Sequence, residues 1–398
     1  MDTYLLDWAN LLLRWLHVIV GIAWIGSSFY FVWLDNHLTP PEDDDLKARG
    51  VDGELWAVHG GGFYNPQKYN LGPRRMPTGP LHWFYWESYS TWLSGFALFV
   101  VLYLWNAGTF LVDTSRVNWP PVAAGAAALG FLAGGWIVYD LICRFFGRNK
   151  DGSIGGDGRV LGLLFVFVVA ATWLACRLFP GRAAFLIIGA MLGTVMSANV
   201  AHWIIPGQRK VVADLQAGRA PDPIHGRRGK QRSVHNTYFT LPVLVAMISN
   251  HYAMLTQHAW NWLVLVALMT VGVLVRQFFV LRHKGRQQWG LVAASLALLA
   301  GLIVWLAPAR PSSAGSDAPP TVAQVQAIVQ QRCVMCHNAQ LQNKGVALHT
   351  NELLARHAQA VYQQAVLQKL MPLNNATQMT EEERSVIRRW VAAGASLR

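Results

Sequence analysis

The sequence predicts an all-α protein: a polytopic transmembrane helix bundle of about eight helices, followed by a small second helical domain. Three observations carry that prediction. Eight apolar runs are long enough to cross a hydrocarbon core of about 30 Å. A segment of Pro, Ser, Ala and Gly interrupts the chain after the last run, and the remainder holds one Cys-x-x-Cys-His motif. Composition agrees, since 53% of the 398 residues are apolar and only 14% are charged, whereas soluble chains carry about 25% charge. Of the 18 Trp only Trp390 lies beyond residue 320, as expected if the first part furnishes two lipid interfaces with aromatic belts. The net charge of +12 does not form a nucleic-acid patch: most Lys and Arg fall in short segments between apolar runs, the pattern that orients a membrane protein.

The runs lie near 5–34, 82–106, 119–143, 159–179, 183–205, 238–257, 259–281 and 287–307. The first begins Met1-Asp2-Thr3 without a basic n-region and continues past the length of a signal sequence, so it is expected to remain as a helix. Segments after the third, fifth and seventh runs are basic: Arg144, Arg148, Lys150 and Arg159, then the cluster within 209–232, then Arg282, Lys284 and Arg286. The alternate segments are nearly bare, with Thr256-Gln257-His258 in one and Arg116 as the only cation in another. The positive-inside rule then predicts an even number of spans with both termini outside. Residues 308–320 read as a linker that neither forms a helix nor packs a core, with a reach of about 40 Å at roughly 3.1 Å per residue. The expected domains are thus 1–307, the linker 308–320, and 321–398. In the last, Thr321 starts a helix that ends at the Cys motif, and Thr380 with Glu383 is a capping-box start for a helix over 381–393.

Two thiols spaced by two residues can add to the two vinyl groups of one haem, so Cys333 and Cys336 predict a covalent haem c with His337 as the proximal iron ligand. No second Cys pair exists to complete a zinc site, and Cys143 and Cys176 stand alone in apolar runs, so no disulfide framework is implied. Met335 is locked inside the motif, which leaves Met371 and Met379 as candidates for the sixth ligand, a soft thioether that raises the iron potential. Met371 is preferred because Lys-Leu-Met-Pro resembles the distal Met-Pro of class I cytochromes c, and 321–398 is expected to be a class I-like cytochrome c domain. Haem of this kind is loaded on the outer side of a bacterial inner membrane. The expected localisation is therefore that membrane, multi-pass, with both termini and the cytochrome domain on the periplasmic side.

Ionisable groups inside hydrocarbon cost about 2.5–3.5 kcal/mol on insertion scales, so their placement is informative. Arg14, His17, Gly21, Trp24 and Ser28 form one stripe of the first helix. His17 and His251, expected at similar depths on neighbouring spans, read either as axial ligands of a second, non-covalent b-type haem or as histidines satisfied by inter-helix hydrogen bonds. A second group gathers at the inner face: His59, His82, Glu87, Asn199, His202, His235 and Asn236, with Glu87, Ser90 and Ser94 on one helical stripe. Such a set can bind a polar heterocycle and relay its protons, bind a metal, or simply anchor helix ends. His82, Glu87 and His235 are the expected catalytic residues. Asp140 and Arg144 read as a structural i,i+4 pair, and the acidic run at 42–45 as a solvated loop.

With these residues laid out, the chain resembles the bacterial membrane-bound, cytochrome c-linked urate oxidases, or urate hydroxylases, over its whole length. The strings that carry the likeness are Trp56-Ala-Val-His-Gly-Gly-Gly-Phe-Tyr64, Leu81-His-Trp-Phe-Tyr-Trp-Glu-Ser-Tyr-Ser-Thr-Trp92, Arg232-Ser-Val-His-Asn-Thr-Tyr-Phe-Thr-Leu-Pro242 and Ser249-Asn-His-Tyr252. The resemblance implies oxidation of urate to 5-hydroxyisourate, with electrons leaving through the fused cytochrome to a terminal cytochrome c oxidase or another cytochrome c. It implies nothing about residues of the soluble cofactor-free urate oxidases, whose fold is unrelated. The competing classes are a non-enzymatic electron-transfer or sensor protein fed by quinol or another donor, and a transporter with a cytochrome appended. Urate bound at the inner face would leave electrons most of the core to cross, which calls for an intramembrane cofactor or a site nearer the outside.

Overall fold

The computed structural model describes residues 2–397 other than 71, 115, 150, 152 and 308–318. All eight apolar runs fold as helices. Helix α1 (Asp2–His37) is rich in Leu, Ile, Val and Trp. Its final carbonyls are capped by the side chains of Asn36 and His37, which bond to Val32 O and Trp33 O. Two short hairpins follow, Gly53–Glu54 with Gln67–Lys68 and Ala57–His59 with Gly62–Tyr64. Helix α2 (Trp86–Phe99) runs on through a π-helical turn at Val100–Leu104. Then come α3 (Pro121–Phe146), with Pro at its first turn, and α4 (Asp157–Leu178).

Helix α5 (Gly181–Asn199) continues through a widened turn at Val200–Ile204 into Ile205–Gln216, past the expected end at 205. The wide turn sits immediately before Pro206, where an ordinary turn would leave a carbonyl unmatched and crowd the ring. Helix α6 (Pro223–Ser249) is capped by Asp222, and α7 (Asn261–His283) and α8 (Trp289–Trp305) complete the bundle.

Among the described residues five helices are long and apolar enough to cross a membrane: Tyr4–His37, Pro121–Phe146, Asp157–Leu178, Gly181–Gln216 and Asn261–His283. Trp289–Trp305 is apolar but shorter. The other two expected spans are helical yet do not meet that measure, because the first helical stretch of α2 is short and the first half of α6 carries the basic cluster. The bundle is compatible with a membrane protein. Helix α5 is its hub, packing against α3, α4, α6 and α2, while α1 rests mainly on α2. Close approach of α3 and α5 depends on Gly135, where a Cβ would lie 2.2 Å from the Met191 side chain.

The expected sixth run differs at both ends, since α6 begins at Pro223 and not near 238. It does not continue as helix to 257: α6 stops at Ser249, and His251 N and Tyr252 N turn back to Ile248 O and Ser249 O. Arg182 of α5 donates from Nε to Asn250 O at 3.0 Å, which satisfies a carbonyl that the helix would otherwise use.

Beyond residue 318 the chain forms α9 (Val322–Arg332), α10 (Asn351–Arg356), α11 (Ala358–Val361, followed by a π-helical turn at Tyr362–Leu367) and α12 (Glu381–Ala392). Both predicted starts are capping boxes, Thr321 with Gln324 and Thr380 with Glu383. Val325, Val329, Leu354, Ile387 and Trp390 gather into a core of their own, separate from that of the bundle. Most of the expected linker lies outside the described residues.

Candidate functional site

Two places concentrate chemistry. The first is the Cys motif, which follows α9 directly: the Cys336 and His337 amides turn back to Cys333 O. His337 Nδ1 lies 3.1 Å from Val346 O. A carbonyl only accepts, so Nδ1 carries the proton and Nε2 keeps its lone pair, the tautomer an iron ligand requires. The two thiols are partly exposed beside it, and burial pushes the Cys333 thiol up to about 11. The donor set therefore fits a covalent haem. The two candidate methionines are held differently. Met379 is 3% exposed and packed into the core of its unit, with Asn375 bonded to both its N and its O. Met371 is 37% exposed.

The second place is a buried polar network where α3, α5 and α6 meet. Asn199 Nδ2 donates to Tyr139 Oη at 2.9 Å and to Asn236 Oδ1 at 3.0 Å. Tyr139 Oη and His235 Nδ1 share a hydrogen bond at 2.8 Å, whose direction is set by the imidazole tautomer. Cys143 Sγ lies 3.8 Å from the same Nδ1. Alongside, Asp140 binds Arg144 Nε at 2.6 Å, Arg232 Nη2 at 2.8 Å and Trp203 Nε1 at 2.7 Å. The expected Asp140–Arg144 pair is thus part of a larger ion cluster, in which Arg232 also covers the Tyr139 ring. Asn199 Oδ1 and Arg232 Nη1 remain buried without hydrogen-bond partners. Buried polar atoms of this kind mark a place where a ligand or water belongs.

The three expected catalytic residues fall in different surroundings. His235 joins the network. Glu87, in the first turn of α2, has a buried Oε2 with no partner, next to Ser88, which bonds Ser197 of α5. His82 precedes α2 instead of starting it and stands exposed against Phe84. His59 is exposed on a hairpin, and His202 is bonded to Ala198 O and packed on Trp136, both away from the network. Among the described residues no three His, Cys, Asp or Glu side chains converge as metal ligands.

His17 packs on α2, with Nδ1 3.1 Å from Thr91 O and 3.0 Å from Ser94 Oγ. Thr91 O only accepts, so Nε2 of His17 is left unprotonated. Gly95 makes room for the ring, since a Cβ there would lie 2.8 Å from His17 Cε1. His251 does not occupy the helical position expected of it and sits exposed in the turn after α6.

Sequence reasoning passed over Tyr139, Cys143, Arg232 and Arg276 as functional groups. The signal was present: Arg276 interrupts the apolar run of α7, and Tyr139 precedes Asp140 on α3. What was missing was the partner each meets on another helix.

An apolar helical bundle with a buried polar network defines a membrane-compatible protein with a candidate site inside its helices. The Urate oxidase N-terminal family model matches residues 3–307, and the chain belongs to that family. The matched stretch ends immediately before Pro308, where the predicted linker begins. No curated protein and no solved structure matches the chain. Family membership supports an oxidoreductase acting on urate.

Proposed function

We propose that this chain oxidises urate to 5-hydroxyisourate in the bacterial inner membrane and passes the electrons through a haem c on residues 321–398 to a terminal cytochrome c oxidase or another cytochrome c. The observation that carries this reading is the family match over 3–307, on the same chain as a Cys-x-x-Cys-His motif whose histidine is held as a ligand tautomer. Urate takes up one water and releases two electrons and two protons in becoming 5-hydroxyisourate. Cys333, Cys336, His337 and Met371 are the residues that would hold a haem, which when bound would supply one-electron acceptance.

The chain's own groups do the rest. His235, Tyr139 and Asn199 form a hydrogen-bonded relay able to take a proton from bound substrate and move it inward. The outer loop between α6 and α7 meets the C-terminal unit where Gln257 Nε2 donates to Lys369 O at 2.7 Å, two residues before Met371. That contact supports an outlet for electrons at the outer end, with both termini periplasmic. Because the relay lies at the opposite end, electrons need an intermediate stop. His17, with its free Nε2, is the ligand this reading assigns to a second, non-covalent haem, and His251 stands as its expected partner.

The test is anaerobic addition of urate to the purified full-length protein while the c-haem spectrum is followed. Full reduction of the haem with 5-hydroxyisourate formed at one per two electrons is expected. An oxidised spectrum that persists with urate, yet is reduced by a quinol, would assign the protein to electron transfer instead.

A further inference from the structure

Arg276 lies on α7, and only 5% of it is exposed. Its guanidinium sits over the ring of Phe29 on α1, with Cζ 4.3 Å from the ring centroid. Nε and Nη2 are both buried and have no hydrogen-bond partner, and among the described residues no carboxylate pairs with the side chain. These two donors share one edge of the guanidinium plane and point the same way. An arginine does not shed its proton to escape burial, and an unmatched buried charge costs several kcal/mol. A charged side chain inside a membrane bundle is normally paired or functional. The face of Phe29 offsets part of that cost through a cation–π contact and fixes the plane of the fork. The edge itself is left for something else.

Other polar side chains lie near Arg276. Tyr238 of α6, one turn from His235, bonds Gln277 beside Arg276, so the clamp and the proton relay are served by the same helix. At the inner ends of α1 and α7, His37 and His283 meet edge to face with centroids 5.2 Å apart.

We propose that Arg276 is the anion clamp of the substrate site, holding urate, a planar anion at neutral pH, through two parallel N–H bonds from Nε and Nη2. This assignment of the ligand rests on the function proposed above, while the requirement for a planar anion rests on the geometry alone. Phe29 is a positioning residue that keeps the fork aimed.

Equilibrium dialysis of labelled urate against the full-length haem-loaded protein tests the proposal, with Arg276→Gln, Arg276→Lys and Phe29→Leu as variants. Arg276→Gln is expected to weaken binding by at least about thirtyfold, as loss of one partner of a buried charged pair does. Arg276→Lys, which keeps the charge and loses the fork, should weaken it by about tenfold, and Phe29→Leu by less. In each the helical circular dichroism and the monodisperse elution in detergent should match wild type, which shows that the bundle is folded. If Arg276→Gln fails to fold, the other two carry the test. Urate binding at the wild-type level in the folded variants, with urate still reducing the haem of the wild type, would overturn the clamp and leave the proposed function standing. Binding that depends on Arg276 without any haem reduction by urate would support the clamp and remove the proposed function.

Discussion

Two arginines are buried to nearly the same degree in this bundle, and their surroundings are opposite. Arg232 is 4% exposed and meets Asp140 at 2.8 Å, between the rings of Tyr139 and Trp203. Arg276 is 5% exposed and meets an aromatic face but no carboxylate. A charge matched within the chain builds the fold; a charge left unmatched waits for a partner that the chain does not contain. The difference separates two ends of one physical problem, and each can be pushed toward the other.

The largest effect is expected where the matched charge is broken. Asp140→Asn would leave Arg232 in the condition of Arg276, and should destabilise the bundle by about 3–5 kcal/mol, read as a lower denaturation temperature in detergent. An unchanged temperature would show that the Asp140 cluster is ornamental. The reverse change sharpens the contrast: Arg276→Met removes an unmatched charge, so the ligand-free protein should be as stable as wild type or more stable by about 1–4 kcal/mol. Urate should raise the denaturation temperature of wild type and not of Arg276→Met, because only a ligand that binds the folded state stabilises it.

In the C-terminal unit one matched pair is Arg332 with Glu383, N to O 2.9 Å. Burial alone would raise the Glu383 carboxyl, but the hydrogen bond from Arg332, the Thr380 N–H and the charges of Arg332 and Arg384 outweigh it and hold the carboxyl below its ordinary value. A lowered carboxyl contributes stability that is complete above the ordinary carboxylate range and is lost as pH falls through the lowered value. Hydrogen exchange of the amides of 381–392 should therefore quicken only on acidification below that range, and Glu383→Gln should abolish the step. The smallest effect is expected at the cap itself, where Thr380→Ala removes the bond to Glu383 N and should cost about 1 kcal/mol, visible as faster exchange at the start of α12 alone.

Much of this was legible before any fold was known. The eight runs became helices because backbone groups in an apolar setting have to be satisfied within the segment. The Cys motif was legible because its spacing is local, two thiols two residues apart and the adjacent His337. His235 was found by its setting among Asn and Tyr residues, but its partners Tyr139 and Asn199 come from two other helices and share no spacing with it. His251 was placed on a helix because the apolar pattern runs on through it. The end at Ser249 depends on Arg182, 68 residues away in sequence, reaching Asn250 O.

By itself the sequence determined the order and approximate limits of the helices, the capping boxes at Thr321 and Thr380 and the spacing of Cys333, Cys336 and His337. Only the tertiary structure decided which helix is central and which polar groups meet. Helices α1 and α5 are alike in length and apolar character, yet the most apolar window of α5 is 72% buried and that of α1 is 0% buried. Lipid is as apolar as a protein core, so hydropathy cannot tell one from the other. What tells them apart is the fit of small residues such as Gly135 of α3 against α5. The same packing brings Phe29 under Arg276, a contact between positions far apart in the chain that no local pattern encodes.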